Sequence, residues 1–143
     1  MDHVAIMNPS WKMIDKIIDG KKTIESRWYQ TKRDPWDKVK PGDVIYLKDS
    51  GKPVTAIAKV IKVEQFEIKD MDAAQKIVTK YGKKICIVNS DCKTWGKCPK
   101  YCILVYLARP ALIQKPFQIN KEGFGTGNAW LTVANIDDIK IKT

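Results

Sequence analysis

The sequence predicts a mixed α+β domain rich in strands, and three patterns carry that prediction. Runs of β-branched residues alternate in period two between turns that contain Gly or Pro, the longest spanning 54–66. Two segments, 9–19 and 72–81, repeat apolar residues at helical spacing instead. Neighbouring strands at 44–48 and 54–66 are joined by the Gly-containing turn 49–53, and long curved strands of this kind are what a closed barrel requires.

Residues 3–7 read as a first short strand. Asn8 is a good helix cap and Pro9 fits the first helical position, so a helix is expected from there to about Asp19. Trp11, Ile14 and Ile18 form its apolar stripe, widened by Met13 and Ile17, and Trp11 is therefore assigned to the core. Gly20 stops the helix, because glycine takes the left-handed conformation without a Cβ clash. A strand then runs to about Gln30, with Thr23, Glu25, Arg27 and Tyr29 on one face and Ile24, Ser26 and Trp28 on the other. Residues 31–37 form an irregular loop around Asp34-Pro35. After the hairpin 44–66, Asp70 or Asp72 caps a second helix that ends at Gly82. Residues 90–100 form a basic loop around Trp95. Residues 101–107 form an apolar strand ended by Arg109-Pro110, and 111–119 a weaker one limited by Pro116. The glycine loop 123–128 precedes a last strand at 130–133.

At 143 residues the chain is expected to form one domain that buries close to 70% of its unfolded surface. It holds no apolar run of the ~20 residues a membrane helix needs and no leader pattern, so a cytoplasmic protein is the expectation. The net charge of +10 is unevenly spread. Residues 31–62 hold eight basic and four acidic residues, and 83–121 hold eight basic residues against Asp91 alone. Clustered cations of this kind fit a polyanionic partner such as nucleic acid, although lysines also decorate ordinary surfaces.

Cys86, Cys92, Cys98 and Cys102 are separated by five, five and three residues. Zinc sites want tighter paired ligands, so these read as buried or idle thiols and no metal is expected; Cys86 and Cys102 sit in strand-like apolar runs. The glycine loop lacks the Lys-Ser or Lys-Thr of a P-loop, so no nucleotide cofactor is expected; it serves a turn or a ligand contact. Trp36 and Trp95 sit among lysines in polar loops, where bases stack on aromatics while cations hold phosphate; Trp28 and Trp130 are assigned to the core.

The chain hinges on residues 19–29, where a helix end becomes a strand carrying Lys22, Glu25 and Arg27. A strand carboxylate flanked by Ile24 and Trp28 is partly desolvated and needs a partner. A structural ion pair tying helix to sheet meets that need, and so does a binding site. Gly20-x-Lys22-x-x-Glu25-x-Arg27 resembles the GxKxxExR signature of the ASCH domain, a member of the PUA-like group. The segments 3–10, 40–46 and 123–131 resemble further landmarks of that family, so the likeness spans most of the chain.

The resemblance implies a partly open barrel of about six strands with two or more flanking helices, and a cleft beside the signature. It also implies recognition of single-stranded RNA or a modified nucleotide by Lys22, Glu25 and Arg27. Asn8, Lys48, Ser50 and Asn128, in or next to the landmark segments, join that expected site with Trp36 and Trp95. Some relatives hydrolyse acetylated cytidine with a lysine and a threonine nucleophile. Here Lys22 fits, but Glu25 holds the nucleophile position and Thr23 lies two residues earlier. A hydrolase using Lys22 and Glu25 as an acid–base pair is thus the alternative reading, and a protein-binding adaptor a third.

Overall fold

The computed structural model describes residues 1–88, 95–125 and 127–141. Six strands form one sheet: β1 (Asp2–Met7), β2 (Ile24–Tyr29), β3 (Val44–Asp49), β4 (Val54–Glu67), β5 (Tyr101–Phe117) and β6 (Trp130–Val133). Their order is β2-β5-β4-β3-β1-β6. β1 runs parallel to β3 and every other pair is antiparallel. The sheet bends into a half-barrel flanked by two helices, α1 (Met13–Ile18) against β3 and β5, and α2 (Met71–Ile85) against β2.

The long β4–β5 ladder shows how that bend is made. Its register shifts at three places, and an extra residue on one strand coils it locally. One shift leaves Ile61 of β4 without an opposite number, and this apolar residue, on the outward face with Lys59, is 59% exposed. At another, Arg109 adopts φ +52 beside Pro110, so the strand passes a proline that lacks an N–H. The expected break at Arg109-Pro110 therefore does not occur: residues 101–117 form one strand, with both prolines at irregularities.

β5 also explains the unbroken apolar run from Tyr101. Ile103, Val105 and Leu107 pack with Ala5, Ile45, Leu47, Ala58 and Val60 inside the half-barrel. Cys102 and Leu104 face the other way, into a cluster with Ile24, Ala74 and Ile85 under α2. A strand covered on both faces needs no polar alternation.

Two helix boundaries differ from expectation. The first helix is split. Pro9–Trp11 is a 3-10 turn capped by Asn8, Lys12 takes φ 57, and only then does α1 begin. That left-handed residue rotates Trp11 off the stripe that buries Ile14 and Ile17, and Trp11 is 59% exposed. The second helix, capped by Asp70 as expected, continues through Gly82 and ends at Cys86, a left-handed cap rather than a strand residue. Gly82 is needed for clearance, since a Cβ there would lie 2.7 Å from the Ile87 carbonyl oxygen. Gly82→Ala is expected to destabilise the fold by about 1 kcal/mol, because that clash outweighs the ~1 kcal/mol that alanine offers a helix. A urea melt checks it, and a variant as stable as the parent would refute the packing account.

Candidate nucleotide-binding cleft

Local sequence builds the hinge. Gly20, at φ +84, turns the chain out of α1. The Lys22 amide then bonds back to the Lys16 carbonyl at 2.9 Å. Thr23 is exposed and tied on both sides, its N–H to the Lys84 carbonyl and its own carbonyl to the N–H of Leu107. These bonds set the register of β2, with Ile24 and Trp28 in the cluster under α2 and Glu25, Arg27 and Tyr29 facing the other side, as the alternation predicts.

The three charged side chains meet. Lys22 is 3% exposed and donates to the Ile85 carbonyl at 2.6 Å, so it satisfies one of the carbonyls that the end of α2 leaves unpaired. Its ammonium lies 3.6 Å from Glu25 Oε2. Arg27 Nε lies 3.3 Å from Glu25 Oε1, close enough for Coulomb attraction but not aligned as a hydrogen bond. Glu25 Oε2 is buried without a hydrogen-bond partner. The other arms of the guanidinium reach across the sheet, Nη1 to the Ala129 carbonyl at 3.1 Å and Nη2 to the Ile6 carbonyl at 3.3 Å. Its plane sits over Trp130, 5.2 Å from the ring centroid.

Trp130 is itself held. Its indole donates to His3 Nδ1 at 3.1 Å, and His3 Nε2 pairs with Asp43 Oδ2 at 2.8 Å. Because an indole can only donate, Nδ1 must accept, and the neutral Nε2–H tautomer is the one that satisfies both partners. Burial lowers the His3 pKa below its ordinary value, opposed in part by the hydrogen bond and charge of Asp43. The sign follows from linkage. The unfolded chain takes up the His3 proton first, so stability is full above the unfolded pKa of about 6.5 and declines as pH falls through it toward the lower folded value. Asp43 deepens the loss at more acid pH, since burial raises its pKa but bonds from His3 and the Lys40 N–H more than reverse that. Thermal melts from pH 8 to 5 are expected to fall in the parent and to flatten near pH 6 in His3→Gln. Parallel curves would exclude His3 as the titrating group.

Lys22, Glu25 and Arg27 lie in an open cleft of about 900 Å3. Asn8 and Trp95 also line it, as expected from the sequence. Trp28 is half-buried there rather than sealed in the core, and packs on Trp95 with ring centroids 4.7 Å apart. Tyr29, Lys16 and Lys97 also line it.

Other expected residues lie elsewhere. Trp36 packs edge-on to Tyr101 against the core with Lys32 over its ring, and does not line the cleft. Lys48, 4% exposed and with its pKa lowered by burial and then by Lys121, is outside it, as is Ser50, whose N–H bonds to the Met7 carbonyl. Asn128 also stands outside, accepting from Arg33 at 2.7 Å and donating to the Phe124 carbonyl. Trp130 is buried, as assigned. Among the described residues no group of three His, Cys, Asp or Glu is placed to hold a metal, and Cys92 lies outside them. No described helix is long and apolar enough to cross a membrane. Trp11 and Lys16 at the cleft were not anticipated there, for helical periodicity assigns the first to the core and the second to solvent.

This strand order bends into a half-barrel beside the hinge, and the fold is that of solved ASCH proteins. The solved ASCH protein of Zymomonas mobilis is similar over 92% of this chain and 87% of its own, at TM-score 0.66 and 17% identity. A tyrosine-to-phenylalanine mutant of that protein superposes at TM-score 0.68 and 17% identity, over 96% of this chain and 93% of the mutant's. The N-terminal domain of Staphylothermus marinus McrB is similar at TM-score 0.51 and 15% identity, covering 96% and 90%. No protein-family model matches the sequence, and no curated protein matches it.

Proposed function

We propose that this chain is an RNA-binding module that holds one nucleotide of a single strand, or a modified nucleotide, in the cleft at Lys22, Glu25 and Arg27. The observation that carries the reading is Glu25, a carboxylate 5% exposed that lines an open cleft and whose Oε2 has the Lys22 ammonium at 3.6 Å but no hydrogen-bond partner. The Lys22 charge offsets part of the cost of burying that oxygen, and a ligand that donates a hydrogen bond to it would offset more. An exocyclic amino group, a ring N–H or a ribose hydroxyl each does so. Trp28, Trp95 and Tyr29 offer aromatic surface for a base, while Lys16 and Lys97 offer charge for phosphate. Binding is favoured over acid–base chemistry because the Lys22 ammonium is already engaged by the Ile85 carbonyl and faces Glu25 as an ion pair.

Titration of the protein with single-stranded ribo-oligonucleotides and with duplex RNA tests this. Single strands are expected to bind more tightly. Two phosphate contacts would reduce single-strand affinity about sevenfold for a roughly fourfold rise in salt. Absence of binding to single strands, or an affinity indifferent to salt, would overturn the proposal.

A further inference from the structure

We infer that Trp11 is a second base-stacking site at the lip of the cleft, taking the nucleotide next to the one held near Glu25. The inference rests on the nucleotide-binding reading above and adds to it that the ligand is a strand of at least two nucleotides. Trp11 is 59% exposed, whereas the chain's four other tryptophans are half-buried or buried. It nevertheless lines the cleft, beside Asn8, Ser10 and Lys16.

Its presentation is built rather than incidental. Asn8 Oδ1 accepts from the Ser10 N–H at 3.0 Å and from the Ser10 hydroxyl at 2.8 Å. The Trp11 N–H bonds to the Asn8 carbonyl at 3.1 Å, and Lys12 is held at φ 57. A non-glycine residue in that conformation is unfavourable and persists where the surroundings enforce it, commonly at binding sites. A backbone fixed in this way leaves little entropy to lose when a base stacks on the indole.

The chemistry around the ring selects a nucleic-acid strand. Residues 8–12 are all exposed, and Trp11 is flanked in sequence by Ser10 and Lys12, so the aromatic has a cation next to it in the chain. Lys16 lines the cleft and the exposed Lys12 follows Trp11 in the chain, so positive charge stands where the phosphate between two nucleotides would pass. The cleft, at about 900 Å3, also has room for more than a single base.

The test measures how affinity changes with ligand length, using a nucleoside 5′-monophosphate and the 5′-phosphorylated di- and trinucleotides of the same base. Stacking of a second base is expected to tighten binding about tenfold in the parent protein. Trp11→Ala should shrink that step to about the twofold that an added phosphate supplies, and Trp11→Phe should retain most of it. Quenching of tryptophan emission by the dinucleotide should likewise weaken in Trp11→Ala. If Trp11→Ala keeps the full step, this inference is overturned. Should that occur while Glu25→Gln still weakens the mononucleotide, the cleft proposal stands without it. If the parent protein binds neither mononucleotide nor oligonucleotide, both fall.

Discussion

Arg27→Ala is expected to destabilise the protein by about 3–5 kcal/mol, the largest loss for any single change at the hinge. The reason is the number of groups one guanidinium serves. It faces Glu25, donates to the Ala129 and Ile6 carbonyls, and lies over Trp130. Alanine would leave Glu25, 5% exposed, with Lys22 as its remaining cation and would take a donor from two carbonyl groups, of which that of Ala129 keeps the Ile6 N–H at 2.9 Å. For a chain of this size such a loss lowers the melting temperature by roughly 10 °C. Lysine at this position restores the charge but not the fork that reaches two carbonyls, so Arg27→Lys should fall between the two. A melting temperature within a few degrees of the parent for Arg27→Ala would show that the network contributes little.

The second large effect concerns affinity. Glu25→Gln keeps the shape of the side chain and removes its charge. A hydrogen bond from ligand to carboxylate is charge-assisted, and such bonds contribute about 1.5–3 kcal/mol. Affinity for the nucleotide is therefore expected to fall about ten- to a hundredfold, measured by titration well below the variant's melting temperature. The salt slope should hardly change, because Lys16 and Lys97 rather than Glu25 would meet the phosphates. Unchanged affinity in a folded Glu25→Gln protein would assign the three charged residues to architecture alone. A large part of their role is architectural in any case, since Lys22 caps α2 and Arg27 ties β2 to β1 and to the segment before β6.

Much of the secondary structure could be read locally, because its causes are local. Asn8-Pro9 starts a turn by capping, Gly20 stops α1 through its positive φ, Asp70 caps α2, and the period-two run of β4 gives a strand that buries Val54, Ala56, Ala58 and Val60. The face of β2 that carries Glu25 and Arg27 followed from alternation alone. Where the reading failed, backbone geometry that no composition rule announces outweighed a local propensity. Gly82 lies inside α2 and gives the Ile87 carbonyl room, β5 runs past two prolines because the bulges opposite β4 absorb them, and Trp11 leaves the core because of a left-handed turn at a lysine.

By itself, then, the sequence determined the strands, the helices and the presence of three charged residues on one hinge. Only the tertiary structure decided what those residues touch. Lys22 finds its acceptor 63 positions away at Ile85, Arg27 finds one 102 positions away at Ala129, and Trp130 finds His3 127 positions away. Two of these three acceptors are backbone carbonyls, which every residue possesses and no side chain advertises. Which carbonyl meets which cation depends on strand order and curvature, and those are set by the packing of the whole sheet.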